Sequence, residues 1–478
     1  MLYNILYVLY VLVIIATIVV IVYDKSDAAK AFAWIIVVAL IPFAGLILYI
    51  LFGRNHRKDK IFNRKEIKDL EQIEALSLRQ LESIKNKESL QHQDVVDNLE
   101  IITLLLNNNK ALLTTRNRMD ILEDGRATFD SLIEALHAAQ ESIHMEYYIF
   151  ENDNIGSRIG DILIAKAMSG VEVRFIYDDV GSWSLSKRYI QKMRRAGIDV
   201  RCFMPVIFPW LTSRVNYRNH RKIVVIDGKV GFTGGLNIAD RYLETKGKMR
   251  WHDVHMKLEG DAVMMLQAIF VTDWFFVSDK QQLNDQKYFP PHDVTDYLPM
   301  QIASSGPDSD WATIMQAYFA AITKAKEHIY ISTPYFLPNN AILTALRVAS
   351  LSGIDVRLMI PSHSDHKFVY WATCSFVSDL LKAGVKVYQY KKGFNHSKII
   401  MIDGQLSSIG TANMDIRSFE VNFEVSAFIY DRRTTARLEE MFMEDLRHSV
   451  LINPKKWNRR SVPQKFVESF SSLFSPLL

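Results

Sequence analysis

Cysteine is scarce in this chain: Cys202 and Cys374 are the only two among 478 residues. They form neither a metal-binding nor a redox spacing, and so little cysteine suits a reducing compartment. The sequence also has no cluster of Asp and Glu residues with the spacing of metal ligands. We therefore expect any chemistry here to need neither a metal ion nor another cofactor.

Charge is absent from two stretches near the N-terminus, residues 1–23 and 31–53. Each is long enough to cross a bilayer, which takes ~20 apolar residues in a helix. Because only residues 24–30 separate them, the sequence predicts a hairpin of two transmembrane helices over 1–53. A signal peptide is the alternative, but the first stretch has no basic segment before it and no small-residue cleavage site after it.

Basic residues follow the second apolar stretch, in "RNHRKDKIFNRK" at 54–65, whereas the loop 24–30 has no net charge. The positive-inside rule then predicts a multi-pass protein of the cell membrane, with everything after residue 53 on the cytoplasmic side. Further basic clusters occur at 213–222 and 453–465. Nucleic acid would explain them, but the apolar stretches favour an anionic lipid surface.

Glycine and proline are absent from residues 54–118, which are polar and helix-prone, so this segment is predicted to be a helical connector. A repeat follows: "ATFDSLIEALHAAQESIHMEYYIF" at 127–150 is matched by "ATIMQAYFAAITKAKEHIYISTPYF" at 312–336. Helical and strand-like segments alternate in both copies, and glycines 170, 197, 353 and 384 stand where helices should end. The pattern predicts an α/β fold with two duplicated domains over 119–295 and 296–453, and a basic, amphipathic tail over 454–478.

One motif, His-x-Lys-x4-Asp-x6-Gly-x-x-Asn, occurs once in each repeat. Its members are His220, Lys222, Asp227, Gly234 and Asn237 in the first copy, and His396, Lys398, Asp403, Gly410 and Asn413 in the second. On a strand, alternate side chains share a face, so each histidine and lysine should face one ligand. Both aspartates stand where these strands end, which suits a turn or a charge partner as well as catalysis.

Two such sets related by a pseudo-twofold axis would surround one phosphodiester. The lysines would stabilise negative charge, one histidine would attack phosphorus, and the other would protonate the leaving alkoxide. Two downstream acids, Asp253 and Glu424, are candidates for orienting the imidazoles. A surface position for either carboxylate is the alternative.

The paired motifs, the "GGLN" and "GTAN" endings, the "STPYFLP" segment and the tail "SFSSLFSPLL" resemble the bacterial cardiolipin synthase family of the phospholipase D superfamily. The resemblance covers nearly the whole chain. It implies duplicated phospholipase D-like domains that join two phosphatidylglycerol molecules into cardiolipin and release glycerol through a phosphohistidine. By the same resemblance, His220 is the nucleophile and His396 the acid and later the base.

The superfamily often has Gly-Ser where this chain has Gly234-Gly235 and Gly410-Thr411. Thr411 therefore keeps a hydroxyl for a phosphate oxygen, and Gly235 does not. The expected partners are phosphatidylglycerol and other anionic membrane lipids, with no nucleic acid, and the oligomeric state is open. A membrane-bound phospholipase D hydrolase, a phosphatidyltransferase with another alcohol acceptor, and a nuclease of the same superfamily are the alternatives.

Two further segments are candidates for contact with lipid. Apolar residues of the tail recur at helical intervals from Phe466 to Leu477, behind the basic run that ends at Lys465. The loop at 202–214, "CFMPVIFPWLTSR", is also apolar. For both segments, packing against the protein core is the alternative.

Overall fold

A computed structural model describes residues 2–23, 28–41, 44–49, 68–86, 92–206, 216–243, 251–278, 283 and 285–475. Near the N-terminus, side chains are described for 10–23, 31–41 and 44–49. The chain divides into two compact units, one of residues 1–61 with 206–217, the other of 62–205 with 218–478. Most of the loop 202–214, a candidate lipid contact, lies outside the described residues.

The smaller unit is built from apolar helices. They are α1 (Leu2–Tyr23), α2 (Ala28–Leu40) and α3 (Ala44–Leu48). Ile21, Val38 and Tyr49 form a small buried cluster among them. Within the part of the chain that is described, no helix is long and apolar enough to cross a membrane. The structure thus does not support the transmembrane hairpin predicted over 1–53, and the second stretch is divided where α2 ends, two residues before Pro42.

The larger unit alternates helices and strands. Its helices are α4 (Lys68–Lys85), α5 (Gln93–Val96), α6 (Leu99–Asn109), α7 (Gly125–Ala138), α8 (Asn154–Met168), α9 (Lys187–Arg195), α10 (Asp261–Val277), α11 (Thr313–Lys324), α12 (Asn340–Leu351), α13 (Lys367–Lys382), α14 (Ile416–Glu420), α15 (Arg432–Arg447), α16 (Pro454–Asn458) and α17 (Val462–Ser472), with 3-10 turns at Asp240–Tyr242 and Gln286–Tyr288. Its strands are β1 (Thr114–Leu122), β2 (Ser142–Tyr147), β3 (Glu172–Asp178), β4 (Asp199–Phe203), β5 (Lys222–Ile226), β6 (Val230–Gly234), β7 (Trp251–His252), β8 (His255–Gly260), β9 (Tyr297–Ser305), β10 (His328–Ser332), β11 (Phe336–Leu337), β12 (Asp355–Pro361), β13 (Lys386–Tyr390), β14 (Phe394–Asn395), β15 (Ile399–Ile402), β16 (Leu406–Gly410), β17 (Met414–Asp415), β18 (Glu424–Ile429) and β19 (Ser449–Leu451).

Fifteen of these strands form one sheet in the order β19-β13-β12-β10-β15-β16-β18-β9-β1-β8-β6-β5-β2-β3-β4. Reading outward from the antiparallel β1–β9 pair, the sequence β8-β6-β5-β2-β3-β4 on one side matches β18-β16-β15-β10-β12-β13 on the other. The two repeats are therefore joined through their first strands into a continuous sheet. This arrangement has the pseudo-twofold relation that the duplicated motifs predict.

The predicted connector, 54–118, overlaps elements that belong to the core. Helix α6 buries Ile101, Ile102, Leu105 and Leu106, and β1 begins at Thr114. These residues pack there because α6 presents an apolar stripe at helical spacing. The predicted domain boundaries themselves stay predictions.

The two motif strands are apolar on both faces because helices cover both sides of the sheet. In β5, Ile223 and Val225 belong to one core cluster, whereas Val224 and Ile226 belong to another. The helix ends predicted at four glycines are confirmed. Glycines 170, 197, 353 and 384 all have positive φ, between 91° and 98°, in the left-handed region that glycine tolerates.

Each motif strand ends in an Asp-Gly turn. Asp227 and Gly228 have φ of 51° and 64°, and Lys229 N donates to Ile226 O at 3.0 Å. In the second repeat Asp403 and Gly404 have φ of 52° and 63°. Positive φ at both central residues is the signature of the type I′ hairpin turn.

The two turn glycines provide a matched pair of stability tests. A Cβ at Gly228 would lie 2.6 Å from the backbone oxygen of Tyr288, whereas nothing lies within 4 Å of one at Gly404. We expect Gly404→Ala to destabilise by about 1 kcal/mol, the usual strain of a left-handed alanine. Gly228→Ala should lower the midpoints of thermal and urea unfolding clearly further. Equal losses would contradict this account of the turn.

Candidate active site

The two motifs meet because each repeat pairs its motif with the other repeat. His220 N donates to Phe423 O at 2.9 Å, and His396 N donates to His252 O at 2.7 Å. The short strands β14 and β7 also pair in parallel, which places Asn395 opposite His252. Both motif histidines are thus held against the segment that carries the opposite repeat's acid.

Each imidazole donates from Nδ1 to a carboxylate of the other repeat. The distances are 2.9 Å from His220 Nδ1 to Glu424 Oε2 and 2.6 Å from His396 Nδ1 to Asp253 Oδ2. Neither acid has any measurable exposure. With Nδ1 engaged, the tautomer is fixed and Nε2 is the nitrogen available to a substrate. The surface position considered for Asp253 and Glu424 is therefore wrong.

Both motif lysines are buried beside these pairs. Lys222 Nζ donates to His220 O at 2.7 Å, and Lys398 Nζ lies 3.7 Å from Asp253 Oδ2. Burial lowers the pKa of Lys222 to about 7, and it lowers the pKa of Lys398 to about 8, although Asp253 and Glu424 oppose the fall. The charge of Lys398 lowers the pKa of Lys222, and the charges of both lysines lower the pKa of His396. The two half-sites therefore interact electrostatically.

Burial also changes the pKa values of the histidines and the acids. It lowers the pKa of His396 to about 4 and lowers the pKa of His220, although the paired carboxylate opposes the fall in each case. Burial alone would raise the pKa values of Asp253 and Glu424. The neighbouring lysine and histidine charges outweigh it and lower both. Both acids therefore stay ionised, and both imidazoles are neutral near pH 7.

Aromatic rings surround the two histidines unequally. The ring of Tyr148 lies 4.8 Å from that of His220. His396 is ringed more completely, by Trp251 at 5.1 Å, Phe394 at 5.7 Å, Tyr242 at 6.0 Å and Tyr335 at 6.4 Å between centroids. Since Trp251 and Tyr242 come from the first repeat, the half-site of His396 is also built by both repeats.

Thr411 and Gly235 occupy equivalent positions but serve the acids differently. The Thr411 hydroxyl donates to Glu424 Oε2, and Val425 N donates to Thr411 Oγ1 at 2.9 Å. A Cβ at Gly235 would lie 2.0 Å from Asp253 Oδ1, so only glycine leaves room for that carboxylate. Thr411 therefore orients the acid behind His220, and its hydroxyl is not directed to a phosphate oxygen.

The two motif asparagines make different contacts. Asn237 accepts from Ile149 N at 3.1 Å and donates to the Tyr242 hydroxyl at 2.8 Å, so it holds a ring that faces His396. Asn413 N donates to Ser418 Oγ at 3.1 Å. The side-chain oxygen of Asn413 is buried and has no hydrogen-bond partner within the described ranges.

The structure does not bring Asp227 and Asp403 to the reacting groups. Asp227 accepts from three backbone amides, those of residues 140, 141 and 142, at 2.8–2.9 Å. Asp403 does the same for residues 326, 327 and 328 at 2.7–2.9 Å. Each is five strand residues from its lysine, roughly 16 Å along the chain. Their carboxylates fix the turn and the start of the neighbouring strand.

Arg221, between His220 and Lys222, was not singled out by the sequence analysis. It points to the opposite side of the strand, is 1% exposed, and pairs with Asp273 of α10. Its Nε donates to Glu424 O at 3.2 Å, so it anchors the backbone of the acid that orients His220. The second repeat has Ser397 at the equivalent position.

A signal for this buried ion pair was present in the sequence. Alternation along "HRK" places Arg221 on the core side of the strand, where a charge needs a partner. Asp273 is one of only two acids in the mostly apolar helix "DAVMMLQAIFVTDWFFV". An isolated acid inside such a helix is the expected partner of a buried arginine.

Across the described part of the chain, no group of three or more His, Cys, Asp or Glu residues is placed to hold a metal ion. The expectation of a reaction without a metal or another cofactor stays a prediction.

Two matching His-Lys half-sites in one α/β sheet are typical of the phospholipase D-like class. The structure is similar in fold to the crystal structure of phosphatidylserine synthase from Haemophilus influenzae Rd KW20, with a TM-score of 0.60 at 13% identity. The match covers 79% of this chain and 100% of that one.

Sequence comparisons identify the family. The model "Cardiolipin synthase, PLD-like domain" matches residues 132–274 and 318–446, and the model "Phospholipase_D-nuclease N-terminal" matches 11–54. The chain is 43% identical to the major cardiolipin synthase ClsA of Bacillus subtilis (strain 168), covering 95% of each chain. It is 42% identical to cardiolipin synthase 2 of Staphylococcus epidermidis RP62A, covering 95% of this chain and 94% of the relative. The chain belongs to the cardiolipin synthase family, and the predictions of this family and of a phosphatidyltransferase are confirmed.

The two lysines predict the pH dependence of the reaction. A lysine stabilises phosphate charge only when protonated, so activity should fall as pH rises through the folded-state pKa values, about 7 and about 8. We expect the alkaline limb of kcat/KM to lie near these values, far below pH 10. In kcat the limb should move upward, because a bound anionic diester favours the protonated lysines.

The measurement is a pH–rate profile with phosphatidylglycerol vesicles of fixed composition. Lys382→Gln, at an exposed lysine that ends α13, serves as a control for nonspecific effects of losing a lysine. A kcat/KM that stays level up to pH 10 would contradict the lowered lysine pKa values.

Proposed function

We propose that this chain transfers a phosphatidyl group from one phosphatidylglycerol to a second, giving cardiolipin and free glycerol. The observation that carries the proposal is the pair of exchanged contacts, His220 with Glu424 and His396 with Asp253, each beside a buried lysine. The curated relatives with 42–43% identity over 95% of this chain bear the name cardiolipin synthase. Their name supplies the substrate class, and the geometry supplies the chemistry.

In the first step, Nε2 of His220 attacks phosphorus and the bond from phosphorus to the glycerol oxygen breaks. His396 donates the proton that this oxygen needs, so glycerol leaves as a neutral alcohol. In the second step, His396 takes the proton from a hydroxyl of another phosphatidylglycerol. That oxygen attacks phosphorus, the phosphorus–nitrogen bond breaks, and His220 is restored.

Charge balance explains how a histidine with a pKa of about 4 becomes an acid. When both lysines are protonated, their charges balance those of two carboxylates, Asp253 and Glu424. A phosphodiester adds one negative charge in a buried setting, which favours the protonated imidazole. Substrate binding thus raises the pKa of His396 and prepares the proton that the leaving group takes.

The order of the two histidines follows the family resemblance, and the structure is consistent with it. Glu424 accepts hydrogen bonds from both His220 and Thr411, which help to lower its pKa and hold an ionised carboxylate behind His220. Such a carboxylate stabilises the positive charge that the imidazole gains when it is phosphorylated.

The proposed location is the cell membrane, with the repeats on the cytoplasmic side. Helices α1 and α2 expose large apolar side chains, among them Val22 at 62% and Phe32 at 65%. A surface of this kind is stable against lipid. The basic run at 54–65 that follows suits the anionic inner leaflet.

A phospholipase D that passes its intermediate to water would use the same residues, and so would transfer to another alcohol. The two differ from the proposal in product alone. A nuclease is the remaining alternative; the proposal assigns the basic clusters to lipid, so DNA and RNA should not be cleaved.

Lipid product analysis tests the function. Purified full-length protein is incubated with phosphatidylglycerol vesicles and a metal chelator. We expect equimolar cardiolipin and glycerol, with at least ~10³-fold loss of both in His220→Ala and in His396→Ala, because nucleophile and acid are each indispensable. Phosphatidic acid without cardiolipin would replace the proposal with the hydrolase.

An activated substrate separates the two histidines. Phosphatidyl-p-nitrophenol has a leaving group that needs no proton, so His396→Ala should still release one equivalent of nitrophenol per site in a burst. His220→Ala should give no burst, because it cannot form the phosphohistidine. The opposite pattern would exchange the assigned roles.

A further inference from the structure

The C-terminal helix α17 packs on the protein with its polar face. Its buried residues are Glu468 and Ser471. Glu468 accepts from Arg460 at 2.6 Å and from Gln464 at 3.1 Å, and Arg460 also donates to Ser378 of α13 at 3.0 Å. Polar groups therefore attach this helix to α13, so its apolar residues are left for another partner.

The opposite face of α17 is apolar and exposed. Phe466 is 68% exposed, Phe470 48% and Leu473 74%. These residues recur at intervals of three and four, which places them on one side of a helix. A helix that only covers a protein core turns this side inward and its charged side outward. Here the orientation is reversed.

Positive charge flanks this apolar face. The residues Lys455, Lys456, Arg459 and Lys465 are exposed. Between residues 454 and 475 the only acid is Glu468, which is already paired with Arg460. An exposed apolar face beside unopposed cations matches an anionic bilayer, whose headgroups attract the cations and whose acyl layer accepts the rings.

Contacts at the start of α13 connect the end of α17 to the half-site of His396. The ring of Phe474, after α17, lies 5.6 Å from that of Phe368 in the first turn of α13. Just before α13, Asp365 accepts from the Tyr335 hydroxyl at 2.7 Å. The Tyr335 ring is 6.4 Å from that of His396. A short, continuous series of contacts thus connects the helix to the catalytic imidazole.

We propose that α17 is a membrane-contact helix that lies in the headgroup layer of an anionic bilayer. Phe466, Phe470 and Leu473 enter the acyl boundary, and the neighbouring lysines contact lipid phosphates. This holds the half-site of His396 at the lipid surface, where a lipid hydroxyl reaches the phosphohistidine with little competition from water. Only this last benefit rests on the proposed function; the bilayer contact does not.

Bilayer contact is measured directly with a fluorophore on the helix. The full chain has two cysteines, so Cys202→Ser with Cys374→Ala gives a background without thiols. An environment-sensitive nitrobenzoxadiazole group is attached at Phe470→Cys, and at Leu351→Cys as a control, which is 70% exposed at the end of α12. Vesicles of phosphatidylcholine are compared with and without phosphatidylserine, an anionic lipid that is not the proposed substrate.

We expect a blue shift and stronger emission from the label at position 470 with phosphatidylserine vesicles, and no change from the label at position 351. An unchanged spectrum at position 470 would overturn the proposal. So would a shift without vesicles that grows with protein concentration, because a second copy of the chain would then cover this face.

The consequence for catalysis is tested with Phe466→Ser/Phe470→Ser/Leu473→Ser and with the matched control Val348→Ser/Leu351→Ser on α12. The tail variant should raise KM for vesicular phosphatidylglycerol several-fold, with unchanged turnover of a monomeric short-chain phosphatidyl-p-nitrophenol. Unchanged KM would overturn the link from membrane contact to catalysis. If position 470 reports insertion but no cardiolipin is made, the proposed function fails while the membrane-contact helix stands.

Discussion

The structure depends on the burial of two lysines in a shared site. An ammonium group taken out of water loses several kcal/mol of hydration unless opposite charge lies close by. Asp253 and Glu424 supply that charge, and both lysine pKa values still fall, to about 8 and about 7. Burial therefore shifts both lysines towards their neutral forms, and a nearby anion opposes this shift. A bound phosphodiester places a negative charge beside the lysines, which compensates for the hydration that they lose on burial.

Because each motif histidine pairs with a carboxylate of the other repeat, the sheet has to hold the two repeats in register. Each histidine is on one repeat and its carboxylate is on the other, so the pairs form only when the two halves are held in register. The antiparallel β1–β9 pair joins the halves by backbone hydrogen bonds at the centre of the sheet, where the strand order of one half mirrors that of the other. Behind this arrangement, Arg221 fixes the backbone of Glu424 from the core side. The rigid sheet thus fixes the position of each imidazole relative to its carboxylate.

Much of this could be predicted from the sequence, because the motif and the repeat are periodic signals. Strand alternation alone places His220 and Lys222 together, and duplicated spacing predicts the pseudo-twofold relation. The aspartates of the motif could not be placed, since an Asp before Gly reads equally as catalytic or as a turn former. The pairing of Asp253 with His396, and not with His220, depends on contacts between segments more than 140 residues apart. The apolar stretch at 31–53 was predicted to be one helix, but the structure divides it. Hydropathy alone therefore does not determine where a helix ends.

The exchanged carboxylates also bear on how a duplicated protein evolves. After most duplications one copy is free to decay while the other keeps the activity. Here, loss of Asp253 from the first repeat would impair the histidine of the second, and loss of Glu424 from the second would impair the histidine of the first. Neither half can become redundant, so selection acts on both as one hereditary unit.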